Sequence, residues 1–132
     1  MRTELTISDD KIDEHALLQK RVMPAGVGAA VYFLGAVRGT EEGRAISAIE
    51  YEAFHQMASR QFHLLFDEAG KRWPVESIRL VHRVGRVEVG EASIWVEVVA
   101  AHREEAFAAC QFIIGEMKRV VPIWKRPVNP GL

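Results

Sequence analysis

The fold is decided by residues 100 to 126, which read AAHREEAFAACQFIIGEMKRVVPIWKR. Apolar side chains recur there in steps of three and four residues, which places them on one side of an α-helix. They are Ala106, Cys110, Ile113, Met117 and Val121. Pro122 lacks an amide hydrogen and disfavours helical geometry at the residue before it, so the helix is predicted to end there. An extended segment follows, with Ile123 and Lys125 on one face.

Both ends of this stretch are basic, and two lysines flank the proline. A chain that folds back at Pro122 can bring the amines of Lys118 and Lys125 into one pocket. Two ammonium groups held close together lower each other's pKa, which favours a neutral amine able to act as a base or nucleophile. The alternative is that Lys118 compensates the helix dipole and Lys125 is a surface residue.

Length and charge narrow the possible functions. A chain of 132 residues, 48% hydrophobic and 27% charged, predicts one globular domain over residues 1–132 that buries about two thirds of its unfolded surface. The net charge of -1 provides no general attraction to nucleic acid or membranes, so an anion site must be made by a few converging side chains. The chain is expected to be cytoplasmic, because its N-terminus is charged and no apolar run approaches the ~20 residues that span a bilayer.

The remaining pattern predicts a mixed fold. In chain order it contains a strand at 4–7, a helix at 12–22 capped within residues 8–10, a strand ending near 37, an exposed loop at 39–44, a strand at 45–51, a helix at 52–73 and strands within 77–101. This order predicts an α/β (α+β) domain with a largely antiparallel sheet. The lone Cys110 is expected to be a packed core thiol. With no phosphate-loop, dinucleotide or zinc spacing, neither a cofactor nor a metal is expected.

Three basic residues outside the helix end are candidates for binding an anion. Arg38 follows an apolar strand and precedes a glycine-containing loop, a usual place for a ligand-contacting side chain. His102 and Arg103 lie where a strand is followed by a helix, so their side chains and the free backbone N–H groups can converge on a phosphate or carboxylate. The alternatives are a solvated Arg38, a His102 that caps or packs, and an Arg103 that reaches water. His82, inside a strand, is predicted to be structural.

Five ordered motifs resemble one enzyme family. They are FLGAVRG, IEYEAF, VHRVGRVEVGEASIWV, AAHREEAF and KRVVPIWKR, spread over roughly residues 26 to 126. In this combination the chain resembles the large, catalytic subunit of molybdopterin synthase, an enzyme of molybdenum cofactor biosynthesis. The resemblance implies an α/β hammerhead fold with a small extra β subdomain.

The resemblance also implies an activity and its partners. Members of the family are sulfurtransferases that form a homodimer within a heterotetramer, with one small ubiquitin-like sulfur-carrier subunit at each end. The C-terminal glycine thiocarboxylate of that small subunit enters the large subunit and delivers sulfur to cyclic pyranopterin monophosphate. Two transfers form the dithiolene of molybdopterin.

Matching the motifs residue by residue implies roles for the basic side chains. Arg38, His102 and Arg103 would bind the anionic substrate. Lys118 matches the lysine that meets the thiocarboxylate, at the reacting centre, and Lys125 matches the lysine of the PIWK element, in substrate positioning or proton transfer.

One departure from the family pattern follows Lys125: the family usually continues with an acidic residue and a longer tail, whereas here Arg126 leads to Pro127 and the sequence ends at Leu132. The shortened C-terminus motivates an alternative function, a dimeric scaffold that binds the ubiquitin-like partner without catalysis. A further alternative is a sulfur or acyl transferase that acts on some other phosphate, which the same basic residues would serve.

Overall fold

The computed structural model describes residues 1–131, so Leu132 of the predicted domain lies outside the described residues. In chain order the elements are β1 (Arg2–Ser8), α1 (Glu14–Gln19), β2 (Ala29–Ala36), β3 (Thr40–Glu41), β4 (Arg44–Ala45), β5 (Ala48–Ala53), α2 (His55–Arg72), β6 (Val75–Arg83), β7 (Gly85–Glu88), β8 (Ala92–Ala100), α3 (Arg103–Val120) and β9 (Ile123–Val128). Within residues 1–131, no helix is both long and apolar enough to cross a membrane.

The main sheet has the strand order β1-β6-β8-β2. β1 and β6 are parallel, whereas β6 with β8 and β8 with β2 are antiparallel. The largely antiparallel sheet predicted from the sequence is therefore confirmed. β8 is central, and all of its residues after Ala92 are buried, because one face is covered by helices and the other by a polar cluster.

Helices α2 and α3 cover one face of this sheet and bury its alternating apolar side chains. The predicted stripe of α3 faces this core: Ala106, Cys110, Ile113 and Val121 are buried, and Met117 packs against them from a half-buried position. The prediction of Cys110 as a packed core thiol is confirmed. Its burial raises the pKa of the thiol to about 11.

The opposite face of the sheet carries a buried ion pair. The guanidinium of Arg79 donates to both carboxylate oxygens of Glu97, at 2.6 and 2.7 Å, and also to the backbone carbonyl of Leu17 in α1, at 2.9 Å. The hydroxyl of Tyr32 donates to Glu97 at 2.7 Å. These contacts hold α1 against the sheet through polar groups.

A smaller three-stranded sheet, in the order β7-β5-β9, forms the predicted extra β unit. It has its own small core of Val37, Ile46, Ile49 and Val87. Because β9 directly follows α3 and pairs with β5, this sheet is placed beside the C-terminal end of the long helix.

Two local predictions were wrong. The segment 39–44 is exposed as predicted except at the half-buried Glu41, but residues 40–45 form the β3–β4 hairpin where an unpaired loop was expected. Glu42 and Gly43 adopt φ angles of 51° and 78°, and two successive positive φ values close a tight hairpin turn. The first helix is shorter than predicted, and its N-cap is Asp13, whose carboxylate accepts from the amide of Ala16 at 3.1 Å. Ser8 instead belongs to β1.

Candidate functional site

A cavity of about 560 Å³ lies where the main sheet, the C-terminal part of α3 and the smaller sheet meet. Its apolar wall comes from all three parts and includes Phe33, Ile49, Ile94, Ile114, Met117, Val121 and Ile123. Gly35 is also in the wall, where an added Cβ would lie 2.6 Å from the Ile94 side chain. The FLG motif therefore allows β2 to approach β8 closely at this point.

Three of the five predicted site residues line this cavity: Arg38, Lys118 and Lys125. Arg38 comes directly after Val37, a buried residue whose amide donates to the carbonyl of Glu91 at 3.0 Å. Lys118 lies in the last turn of α3. Lys125 is in β9, opposite Tyr51 of β5. The structure thus brings residues from three separate elements to one surface.

The Pro122 turn directs the chain back to the cavity, as the sequence pattern predicts. α3 ends at Val120, and Val121 adopts an extended conformation with ψ 126°. Ile123 and Lys125 then both face the cavity. Trp124, on the other face of β9, packs edge-on against Phe54 with 4.9 Å between the ring centroids. The turn therefore brings both lysines to one pocket.

Glu41 is a cavity residue that sequence analysis did not identify. Its carboxylate lies 2.8 Å from the amine of Lys125, and only 19% of its side chain is exposed. The hydrogen bond from Lys125 lowers the pKa of Glu41, and the charges of Lys125 and Arg38 add to this effect, although partial burial opposes it. The sequence offered no signal for this contact, because residues 41 and 125 meet only in the tertiary structure.

His82 contributes an uncharged polar group to the cavity wall. Its side chain is 3% exposed and packs edge-on against Tyr51, consistent with the predicted structural role. Nδ1 lies 2.8 Å from the carbonyl oxygen of Arg83, and a carbonyl only accepts, so this nitrogen carries the proton. Burial lowers the pKa of His82, which keeps the ring neutral at pH 7.

The composition of the cavity indicates the kind of ligand that it fits. Three cationic side chains and one carboxylate line it, which leaves a positive balance suited to an anion. Its volume and apolar wall are typical of sites for small organic molecules. The geometry therefore favours an organic anion with an apolar part.

The other two predicted residues, His102 and Arg103, lie at the opposite end of α3. Fifteen residues separate Arg103 from Lys118 on this helix, which at 1.5 Å per residue is about 22 Å. One chain therefore does not bring the His-Arg pair to the cavity that contains both lysines.

His102 is the N-cap of α3, one of the alternatives that the sequence left open. Its backbone amide donates to the Glu105 carboxylate at 3.1 Å, and its Nδ1 lies 2.9 Å from the same oxygen. These contacts fix the orientation of the imidazole, although 76% of the side chain is exposed. Arg103 is exposed beside it, so both side chains are available to another molecule.

Comparison with known proteins shows the family of this chain. A family model described as "MoaE protein" matches residues 7–120. The chain belongs to the MoaE protein family. The molybdopterin synthase catalytic subunit of Pyrococcus abyssi is 43% identical over 108 residues, which cover 82% of this chain and 73% of that protein. The one from Thermoplasma volcanium is 38% identical over 128 residues, or 97% and 93% of the two chains.

Two solved structures show the same fold. The crystal structure of molybdopterin synthase from Staphylococcus aureus matches with a TM-score of 0.84 at 29% identity, over 97% of this chain and 92% of that one. A complex of subunits 1 and 2 of the molybdopterin-converting factor from Helicobacter pylori matches with a TM-score of 0.75, over 97% and 89% of the two chains. At 20% identity, the second likeness shows the fold alone.

These comparisons confirm the predicted family and fold. They also confirm the prediction of an enzyme subunit, because the matching relatives are named catalytic subunits of molybdopterin synthase. The five site residues remain predictions, three of which the structure brings together in one cavity.

Proposed function

We propose that this chain transfers sulfur to cyclic pyranopterin monophosphate in the cavity lined by Arg38, Lys118 and Lys125. The sulfur would come from the thiocarboxylated C-terminus of a small ubiquitin-like partner. The proposal rests on one observation: three cationic side chains line a partly apolar cavity of about 560 Å³ in a chain of the MoaE family.

Each cation has a role that suits its chemistry. The planar guanidinium of Arg38 is suited to bind the cyclic phosphate through paired hydrogen bonds. Lys118 is placed at the reacting centre, where the thiocarboxylate tail meets the pterin. Lys125 positions the substrate or moves a proton during ring opening, a step that needs an acid or base at the reacting atoms. The apolar wall accommodates the ring system.

His102 and Arg103 join this site from a second copy of the chain. Their distance from Lys118, about 22 Å along α3, prevents them from serving the cavity of their own chain. β2 is an edge strand of the main sheet, and its Phe33 and Leu34 are 36% and 43% exposed. Exposed apolar residues on an edge strand favour pairing with another strand.

Antiparallel pairing of two copies along β2 would complete the site. Ala29, at the start of β2, pairs with Ala100, two residues before His102. The end of β2 is followed closely by Arg38 at the cavity. In a two-fold dimer each contact occurs twice, so the His102 end of each copy would meet the Arg38 end of the other. This arrangement supports the predicted homodimer.

A second subunit is part of the proposal. Relatives are named catalytic subunits, which implies a partner subunit, and we assign that place to the small ubiquitin-like sulfur carrier. The resulting heterotetramer would act in the cytoplasm, where a lone buried thiol such as Cys110 stays reduced.

Reconstitution tests the proposal directly. The chain is mixed with thiocarboxylated small subunit and cyclic pyranopterin monophosphate, and the dithiolene product is measured by mass spectrometry. Lys118→Ala should lower the rate on the order of a hundredfold or more. Lys71→Ala, which removes an exposed lysine in the last turn of α2, is the matched control and should leave the rate unchanged. A wild-type chain that forms no product would refute the proposal.

Calorimetry separates the enzyme from the scaffold alternative. An enzyme binds the pterin phosphate as well as the small subunit, and Arg38→Ala should weaken the pterin affinity because the phosphate loses a charged donor. Arg60→Ala, on the exposed side of α2, should have no effect. Tight binding of the small subunit without any pterin affinity would support the scaffold.

A further inference from the structure

We propose that Glu41 is a positioning residue that holds the amine of Lys125 at the cavity in the geometry needed for turnover. The inference rests on the proposed function, since it assigns Lys125 a part in the reaction. It adds to the site a residue of the β3–β4 hairpin, an element that lies apart in sequence from both lysines.

The contact is direct and joins a half-exposed lysine to a well-covered carboxylate. The Lys125 amine lies 2.8 Å from Oε1 of Glu41, and the two side chains are 53% and 19% exposed. Glu41 is the one acidic side chain among the residues within 1–131 that line the cavity. The carboxylate of Glu41 is mostly covered, so water competes only partly for the charge-assisted hydrogen bond that it accepts from Lys125.

Strand pairing within the β3–β4 hairpin holds the backbone that carries Glu41. Thr40 and Glu41 pair with Ala45 and Arg44 across the hairpin, and the amide of Ile46 donates to the carbonyl of Gly39 at 3.0 Å, which extends the ladder. Ile46 is 6% exposed in the small core of the β unit. The hairpin pairing and the buried Ile46 therefore define the backbone position from which the Glu41 carboxylate reaches Lys125.

Lys125 lacks comparable support of its own. It lies on β9, which is the edge strand of the smaller sheet and pairs with β5 alone in the described chain. A lysine has four rotatable bonds and a compact charge, so its amine is positioned only by what it binds. The contact with Glu41 is the one ion pair of Lys125 within residues 1–131.

Charge alone would give Glu41 the opposite effect, a decrease in turnover through competition with the substrate, and the two roles predict different results. A carboxylate beside two cations can compete with an anionic substrate for them. In that case, removing its charge would increase turnover. In the positioning role, removing its charge lowers turnover while leaving the cavity more positive, so substrate affinity does not fall.

Steady-state kinetics of the reconstituted enzyme distinguish these effects. Glu41→Gln should lower kcat on the order of tenfold, without an increase in KM for the cyclic substrate. Glu41→Asp, which keeps the charge on a shorter side chain, should recover part of the loss. Glu42→Gln is the matched control, because it removes an exposed charge from the same turn, and it should behave as the wild type.

In the kinetics, the proposal would be overturned by an unchanged or increased kcat for Glu41→Gln, or by an increase in KM at unchanged kcat. Equal melting temperatures of the Glu41→Gln and Glu42→Gln variants would show that any loss of kcat does not come from an unfolded hairpin. A melting temperature lowered by Glu41→Gln alone would assign Glu41 a structural role and would also overturn the proposal.

A second measurement does not depend on turnover, so a failure of the proposed function can be told apart from a failure of this one. Lysine amines are acylated with a water-soluble ester for a short time, and labelling is quantified by peptide mass spectrometry. Glu41→Gln should speed labelling of Lys125 severalfold relative to Lys71, because the amine no longer donates to a carboxylate. Equal labelling of Lys125 in both proteins would contradict the contact.

Discussion

A mixed dimer of two inactive variants tests whether each catalytic site uses residues from two copies. Lys118→Ala removes the amine at the cavity, and Arg103→Ala removes a guanidinium at the other end of α3, about 22 Å away along the helix. If sites are shared, a dimer with one copy of each variant has one site that lacks both groups and one that has both. The intact site takes Lys118 from one copy and Arg103 from the other.

The size of the recovery follows from this geometry. Random exchange of equal amounts makes half of the dimers mixed, and half of the sites in those are intact, so activity should return to about a quarter of the wild-type rate. The assay is dithiolene formation after subunit exchange, with each variant alone as the baseline. A mixture that stays at the baseline would refute the sharing of sites.

A matched mixture makes the result specific. Lys118→Ala and Lys125→Ala remove two groups that line the same cavity of the same chain. Every site in their mixed dimers then lacks one lysine, so no recovery is expected. Recovery in this control would show that subunit exchange restores activity for some reason other than complementary sites.

Three further predictions concern buried groups. Arg79→Leu leaves the Glu97 carboxylate without its guanidinium partner in a site where the two side chains are 7% and 2% exposed. Denaturant unfolding should show that the free energy of unfolding falls by about 3–5 kcal/mol. Arg72→Ala is the control in an exposed pair and should lower it by at most about 1 kcal/mol. Burial lowers the pKa of His82 from 6.5, so the unfolded chain binds a proton at this residue more readily than the folded protein does. The folded protein is therefore not destabilised by His82 above that pH and loses stability as the pH falls below it. His82→Gln should therefore flatten the fall in melting temperature on the acid side of pH 6.5, and an unchanged slope would contradict the prediction. The thiol of Cys110, with a pKa of about 11, should resist iodoacetamide at neutral pH in the folded protein. Cys110→Ala should retain sulfur transfer, and a loss of activity with an intact fold would implicate the thiol in the reaction.

Much of the candidate site could be predicted because its motifs are local. Arg38 comes at the end of an apolar strand, and Lys118 and Lys125 flank a proline, so their positions relative to nearby backbone follow from short-range rules. In the structure these three residues line one cavity, and their roles stay predictions. The hairpin at residues 40–45 was not predicted, because a Glu-Gly pair is a weak signal for the positive φ values that close it.

The long helix, its apolar face and its end before Pro122 could be predicted from the sequence, because helical periodicity and the missing amide of proline act within a few residues. Because this helix is rigid and rises about 1.5 Å per residue, the structure places Arg103 far from Lys118, although both were candidates for one site. The contact between Glu41 and Lys125, which are 84 positions apart in sequence, forms through the tertiary structure. That contact depends on strand pairing and on the packing of two sheets against one helix end, which no local pattern specifies.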